Sequence, residues 1–308
     1  AERLVVENTG HDGLKLYCYS DSCVYDRQWT EITVLARGLI LDPETQRVVA
    51  TPFPKFFNAG EGDHPIPDLP FETFEKLDGS LIIVFHHKGE WRTATKGNLH
   101  SEQAKWAKAH LARHDLSSLI PGATYLAEAI YPENKIVIPY EQSGLFLLSG
   151  YHDNGMELSH DDLQNIASSL QWPIAKRHQF QSLSELMALA KNLPATEEGF
   201  VLRFENGHRL KIKGDEYRRL HALISNLTPL AMWEVMQKGD DLESIRRQLP
   251  EEFWADFDAI ISVLQKKIDA LIARITAEAT KVAELSDKDV GLRLDTFPAD
   301  IRGFIFAY

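Results

Sequence analysis

The chain has 308 residues, 44% hydrophobic and 25% charged, an ordinary globular composition with room for two domains. No apolar run reaches the roughly 18 residues of a membrane span, and AERLVVENTG lacks the basic-then-apolar layout of a secretory signal. Two cysteines, Cys18 and Cys23, make no disulfide framework and match no zinc spacing, so the expectation is a reduced, cytoplasmic protein with no membrane partner. Ala1 in place of Met points to a processed or trimmed start.

The net charge of −12 runs against broad nucleic-acid binding, yet the charge is unevenly placed. Residues 76–130 carry +2 and residues 201–233 carry +3, while 1–75, 131–200 and 234–308 carry −7, −5 and −5. Positive charge thus gathers around Lys76 and Lys211, where a polyanion can be handled.

In chain order, VLARGLIL (34–41), RVVATPF (47–53), TFEKL (73–77), SLIIVFHH (80–87) and WRTATK (91–96) read as strands separated by turn residues. SEQAKWAKAHLARH (101–114) reads as a helix, followed by strands in TYLAEAI (124–130), KIVIPY (135–140) and LFLLSGY (145–151). SHDDLQNIASSL (159–170) and SLSELMALAKN (182–192) are helices, the first opening on cap-type residues. GFVLRF (199–204) and HRLKIK (208–213) form a hairpin, because Asn206-Gly207 between them is the strongest short hairpin signal.

After Lys213 the pattern becomes helical. Phe257, Ile260, Ile261, Leu264, Ile268, Leu271, Ile272 and Ile275 recur at three-and-four spacing and predict one apolar helix face. The boundary is placed near residue 225, giving a β-rich domain over 1–225 and a helical domain over 226–308. Trp106 and Trp233 are assigned to the core. The twelve histidines are read as exposed or locally hydrogen-bonded, not as metal ligands.

Lys76-Leu77-Asp78-Gly79 has the form K-x-D-G, which by itself is also compatible with a strand turn bearing a solvated lysine. A lysine amine can attack the α-phosphate of a nucleotide to form a phosphoramidate. Its ordinary pKa of about 10.4 opposes this, so the chemistry calls for further cations and a metal nearby. Residues of those types follow in order: Thr95-Lys96-Gly97, Glu128, Glu197-Glu198-Gly199, and Lys211-Ile212-Lys213. Lys211 and Lys213 project from one strand face, since side chains alternate with period two. Glu128 and Glu198 can hold a hydrated Mg²⁺, a hard ion that keeps most of its waters.

K-x-D-G, an isolated Glu in an apolar strand, E-G-x-V and K-x-K together resemble the covalent nucleotidyltransferases, the superfamily of polynucleotide ligases and RNA capping enzymes. ARGLILD (36–42), PKFFNAGE (54–61), KLDGSL (76–81), TKG, PENKIVIPY (132–140) and KIKGDEYRRLH (211–221) narrow the resemblance to phage-type RNA ligase 1. It implies an α+β fold: an antiparallel-sheet adenylyltransferase domain followed by a small all-helical C-terminal domain. It also implies ATP and Mg²⁺ or Mn²⁺, with Lys76 as the nucleophile that takes AMP.

The same resemblance gives the other positions their roles. Arg37 and Lys55 steer the β- and γ-phosphates, Lys96 lies in the nucleotide pocket, and Lys211 and Lys213 contact the α-phosphate. Asp78 and Gly79 belong to the ATP-binding turn, and Glu128 and Glu198 bind the metal through its waters. Phe146 or Tyr151 stacks on adenine. The implied substrate is RNA with 5′-phosphate and 3′-hydroxyl ends, nicked tRNA among them, prepared by a kinase-phosphatase partner; the chain is expected to act as a monomer. The alternatives are a DNA ligase, a GTP-using capping enzyme, and a non-catalytic RNA-binding relative.

Overall fold

A computed structural model describes residues 4–62, 65–134, 136–249 and 253–306. The chain divides between His221 and Ala222 into two compact units.

The first unit is built on three sheets among its described residues. Its central sheet runs in the order Gly144–Tyr151, Thr124–Ile130, Ser80–His87, Glu90–Thr95, antiparallel throughout. Strand Ser80–His87 is buried continuously from Ile82 to Phe85, so it must be covered on both faces. Ile82 and Val84 meet Tyr125, Ala127 and the helices Glu102–Leu111 and His160–Leu170. Ile83 and Phe85, pointing the other way, meet Leu14, Leu16 and Ile40 of the N-terminal meander. Burying a side chain of this size contributes about 1.5–3 kcal/mol, so the period-two alternation locks the register.

That meander comprises Val5–Thr9, Lys15–Tyr19, Arg37–Asp42 and Arg47–Ala50 in sequence order. The third sheet runs Arg177–His178, Phe71–Glu75, Gly199–Phe204, Arg209–Lys213, Phe57–Asn58, with only the last pair parallel. Phe200, Leu202, Phe204, Leu210 and Ile212 bury one of its faces under helix Leu183–Lys191. Ser101, Ser159 and Ser182 cap their helices by accepting from the N–H three residues on, which fixes where each begins.

The second unit carries helices Pro229–Lys238, Leu242–Gln248, Trp254–Thr280 and Asp287–Leu292. The long helix packs Phe257, Ile260, Ile261 and Leu264 into one cluster, and Leu271 and Ile275 into another. The architecture is therefore α+β with antiparallel sheets followed by helices, as expected.

Several local expectations are corrected. Val34 and Leu35 are not strand but the end of helix Glu31–Leu35, because Thr30 and Thr33 form a reciprocal cap that starts a helical turn. Lys135 lies outside the described residues, and Ile136–Tyr140 form no strand; the N–H groups of Val137 and Ile138 bond to the Asp78 carboxylate instead of a neighbouring strand. Trp233 is 41% exposed, its neighbour Met232 taking the buried position, and Ile272 at 51% falls off the apolar stripe. No helix among the described residues is long and apolar enough to cross a membrane.

Candidate active site

Strand Phe71–Glu75 ends one residue before Lys76, and the turn that follows has its donors tied down. Lys76 N–H donates to Gly199 O at 2.8 Å, Asp78 N–H to the Tyr140 hydroxyl at 2.8 Å, and Gly79 N–H to Glu128 Oε1 at 3.1 Å. Ser80 Oγ donates to Asn134 Oδ1 at 3.0 Å. Residue 79 must be glycine, since a Cβ there would lie 2.5 Å from Ala129 O and 3.1 Å from Glu128 Cγ. Gly199 is constrained twice, by φ of +143° and by the 2.0 Å approach of an added Cβ to Ile212 O. That constraint lets the Glu198-Gly199 corner press against strand Arg209–Lys213.

Lys76, Arg37, Lys55, Lys96, Gly79, Glu128, Lys211 and Lys213 line one cavity of about 600 Å³. Glu198 does not line it but pairs with two residues that do: only 2% exposed, it holds Oε2 at 2.7 Å from Lys76 Nζ and Oε1 at 2.8 Å from Lys213 Nζ. One buried carboxylate thus serves two ammonium groups. The other cations are held differently. Lys55 Nζ lies 4.8 Å from the Phe57 ring centroid and 5.4 Å from that of Trp29. The Arg37 guanidinium is 5.5 Å from Phe56, and Lys96 Nζ is 5.5 Å from Tyr19. Among the described residues, Arg37, Lys55, Lys96 and Lys211 form no ion pair, and Arg37 Nη1 is buried without a hydrogen bond.

This crowding perturbs the titratable groups. Burial, then the charges of Lys55, Lys76 and Lys213, push Lys211 down to about 7. Burial also lowers Lys55, with Arg37 and Lys96 adding to it against Glu61. Glu128 is pushed up to about 7 by burial and the Glu198 charge, opposed by Lys76 and Arg37. The buried Glu198 carboxylate and the half-buried Glu128 carboxylate, which repel one another, fit a hard divalent cation that retains its water shell. No larger cluster of metal-ligating side chains exists among the described residues.

Asp78, Tyr151 and Phe146 do not line the cavity. Asp78 is 4% exposed and faces away: Oδ2 accepts from Val137 N at 2.9 Å and Ile138 N at 3.1 Å, and Oδ1 accepts from the Tyr217 hydroxyl at 2.8 Å. Tyr151 is buried edge-on against Phe53, 6.3 Å between centroids, and Phe146 packs beside Tyr140; neither ring lines the cavity. The apolar and aromatic side chains that do line it include Phe53, Phe56, Phe74, Leu148, Ala175 and Val201.

Arg203 and Arg209 also line the cavity and were missed. Both pair with Glu157, and Arg209 stacks over Phe53 at 4.7 Å. The signal was present: Arg209, Lys211 and Lys213 share one period-two face, and Arg203 lies across from Arg209.

An antiparallel nucleotidyltransferase fold whose lysine turn, E-G corner and K-x-K strand meet at one cavity defines the class, an RNA ligase 1 type nucleotidyltransferase. Residues 35–217, more than half of the chain, match the profile described as RNA ligase, and the chain belongs to that family. A putative bifunctional polynucleotide kinase/RNA ligase of Autographa californica nuclear polyhedrosis virus is 28% identical over 78% of this chain and 37% of its own length. A putative RNA ligase of Thermovibrio ammonificans is 30% identical over 60% of this chain and 52% of its own. The chain thus spans between about a third and about a half of the length of these two relatives. An archaeal ATP-dependent RNA ligase shares the fold, with TM-score 0.55 and 15% identity over 88% of this chain and 77% of that one.

Proposed function

We propose that the protein is an ATP-dependent RNA ligase that joins 5′-phosphate and 3′-hydroxyl RNA ends through a lysyl-AMP intermediate. The observation carrying this reading is that Arg37, Lys55, Lys96 and Lys211, none with a carboxylate partner among the described residues, line the cavity that holds Lys76. Cations gathered in this way suit a polyanion such as a triphosphate.

In the first step Lys76 Nζ, free of its proton, bonds to the α-phosphorus while the bond to the bridging oxygen breaks and pyrophosphate leaves with the electron pair. Arg37 and Lys55 receive the developing charge on the β- and γ-phosphates, and Lys96 lies beside them. Lys211 and Lys213 hold the α-phosphate. The base lies against apolar lining such as Leu148 and Val201, in place of a stack on Phe146 or Tyr151. Glu128 and Glu198 would hold Mg²⁺ or Mn²⁺ through its waters, and the ion would supply positive charge to the phosphates. An RNA 5′-phosphate oxygen then attacks the lysyl-AMP phosphorus, freeing Lys76 and giving a 5′-5′ pyrophosphate. A 3′-hydroxyl finally attacks the RNA phosphorus and AMP leaves.

The viral relative, named as a kinase joined to a ligase, supports a setting in which ends are healed before sealing; nicked tRNA is a fitting substrate. A DNA ligase or capping enzyme is expected to place a small β-barrel after K-x-K, whereas the described residues of the second unit are helical.

The test is incubation with Mg²⁺ and ATP labelled at the α-phosphate, then denaturing electrophoresis. The expected label is acid-labile, alkali-stable and carried by the peptide containing Lys76. A label on another residue, or none, overturns the reading.

Lys211 gives a second expected result. With its pKa near 7, it is largely neutral in the free protein above that pH and charged below it. A bound polyphosphate favours the charged form, so binding should take up a proton above pH 7 and none well below. Calorimetry with α,β-methylene ATP, without divalent metal and in buffers of different ionisation heat, should show affinity weakening as pH rises from about 7 to 8.5, by up to about tenfold per pH unit. Lys211→Arg should abolish the uptake.

A further inference from the structure

One tie on the Lys76 turn comes from a side chain that does not line the cavity. The Tyr140 hydroxyl accepts the Asp78 N–H at 2.8 Å, two residues after the nucleophile. Tyr140 is itself well anchored. Its ring packs with Leu77, Ile130, Ala175 and Phe146. The N–H groups two and three residues before it, Ile138 and Val137, bond to Asp78 Oδ2. The segment and the turn therefore clasp one another, backbone to side chain in both directions. Burial and the nearby charges of Asp78, Glu198 and Glu128 raise the Tyr140 hydroxyl well above the ordinary tyrosine range, so it stays neutral at any working pH.

We propose that Tyr140 is a positioning residue for Lys76: by holding the Asp78 amide it sets the peptide plane of the turn and with it the direction of the lysine amine. This rests on the reading of Lys76 as the nucleophile. The other ties fix the ends of the turn, Lys76 N–H on Gly199 and Gly79 N–H on Glu128. Between them, the Asp78 amide has Tyr140 as its partner. Without that oxygen a buried N–H is left unmet, and the turn must rotate to satisfy it. The bond-forming step is sensitive to such a shift. Capture of ATP is not, because Arg37, Lys55, Lys96 and Lys211 sit on other segments.

Tyr140→Phe removes the one oxygen and keeps the ring. Three quantities are compared with the wild type: the single-turnover rate of lysyl-AMP formation, the ATP concentration at half-maximal rate, and sealing of RNA already adenylylated at its 5′ end. The last substrate carries its AMP, so no lysine attack is needed. Adduct formation should fall about 10- to 100-fold, with the ATP requirement changed by less than about twofold and sealing by less than about threefold. Equal losses in adduct formation and in sealing would show a general loss of folded enzyme and overturn the proposal. So would adduct formation at the wild-type rate. If the wild type itself forms no adduct, the nucleophile reading fails; if it does and Tyr140→Phe matches it, only the role of Tyr140 fails.

Discussion

Glu198→Gln is expected to slow lysyl-AMP formation by at least about a thousandfold while leaving the chain folded. The side chain is 2% exposed and is the shared partner of Lys76 and Lys213. Glutamine fills the same volume but carries no charge, so two ammonium groups lose their shared ion-pair partner at once. Breaking a buried pair in this way costs about 3–5 kcal/mol when the remaining charges stay buried. Here both lysines reach solvent, with 21% and 23% of their side chains exposed, so the penalty on folding falls toward the low end. The penalty on reaction is larger. Lys76 is aimed by that contact, and Glu198 is one of the two carboxylates that fit the divalent cation. Rapid-quench measurement of the adduct at saturating ATP and metal checks it. A rate within tenfold of wild type would show that the amine is positioned without Glu198.

Much of the site was legible because its chemistry limits residue type. A nucleophilic lysine requires cations and carboxylates near it, and Lys96, Glu128, Glu198, Lys211 and Lys213 could be picked out by type and order before any fold was known. Period two placed Lys211 and Lys213 on one face, and both line the cavity. The acidic total of −12 masked a cavity whose surplus is positive.

What was not legible depends on contacts distant in sequence. Nothing local shows that the Asp78 carboxylate spans to Tyr217, or that it takes the N–H groups that would otherwise have made Ile136–Tyr140 a strand. The adenine stack was assigned to a ring in an apolar strand, but strand Gly144–Tyr151 has a register shift between Leu147 and Ser149, and it is Leu148 that lines the cavity. Arg209 was passed over because a K-x-K pattern invites attention to lysines alone. Val34 and Leu35 show the limit of propensity: two β-favouring residues are carried into a helix by a threonine cap that precedes them.

The Asp78 contacts also set the largest expected effect on stability. Asp78→Ala should destabilise the first unit by about 3–5 kcal/mol, because three buried donors lose their acceptor and each unmet donor costs about 1–3 kcal/mol without full additivity. Against a typical margin of about 5–15 kcal/mol, this is enough to lower the melting temperature by about 10 °C or more. Adduct formation should fall at least about a hundredfold in the fraction that stays folded, since the turn carrying Lys76 loses its brace to Tyr217 and the 137–138 backbone. Asp78→Asn separates the two effects. Its amide oxygen can take the Val137 and Ile138 N–H groups while its NH₂ faces the Tyr217 oxygen, whose hydroxyl hydrogen turns away. All three contacts are then met with donor and acceptor exchanged at one of them, so the stability loss should stay below about 1.5 kcal/mol. Thermal and urea melts of the two variants, monitored by near-ultraviolet circular dichroism, measure the difference directly. An alanine variant that melts with the wild type would show that Asp78 does not brace the turn, whatever its activity.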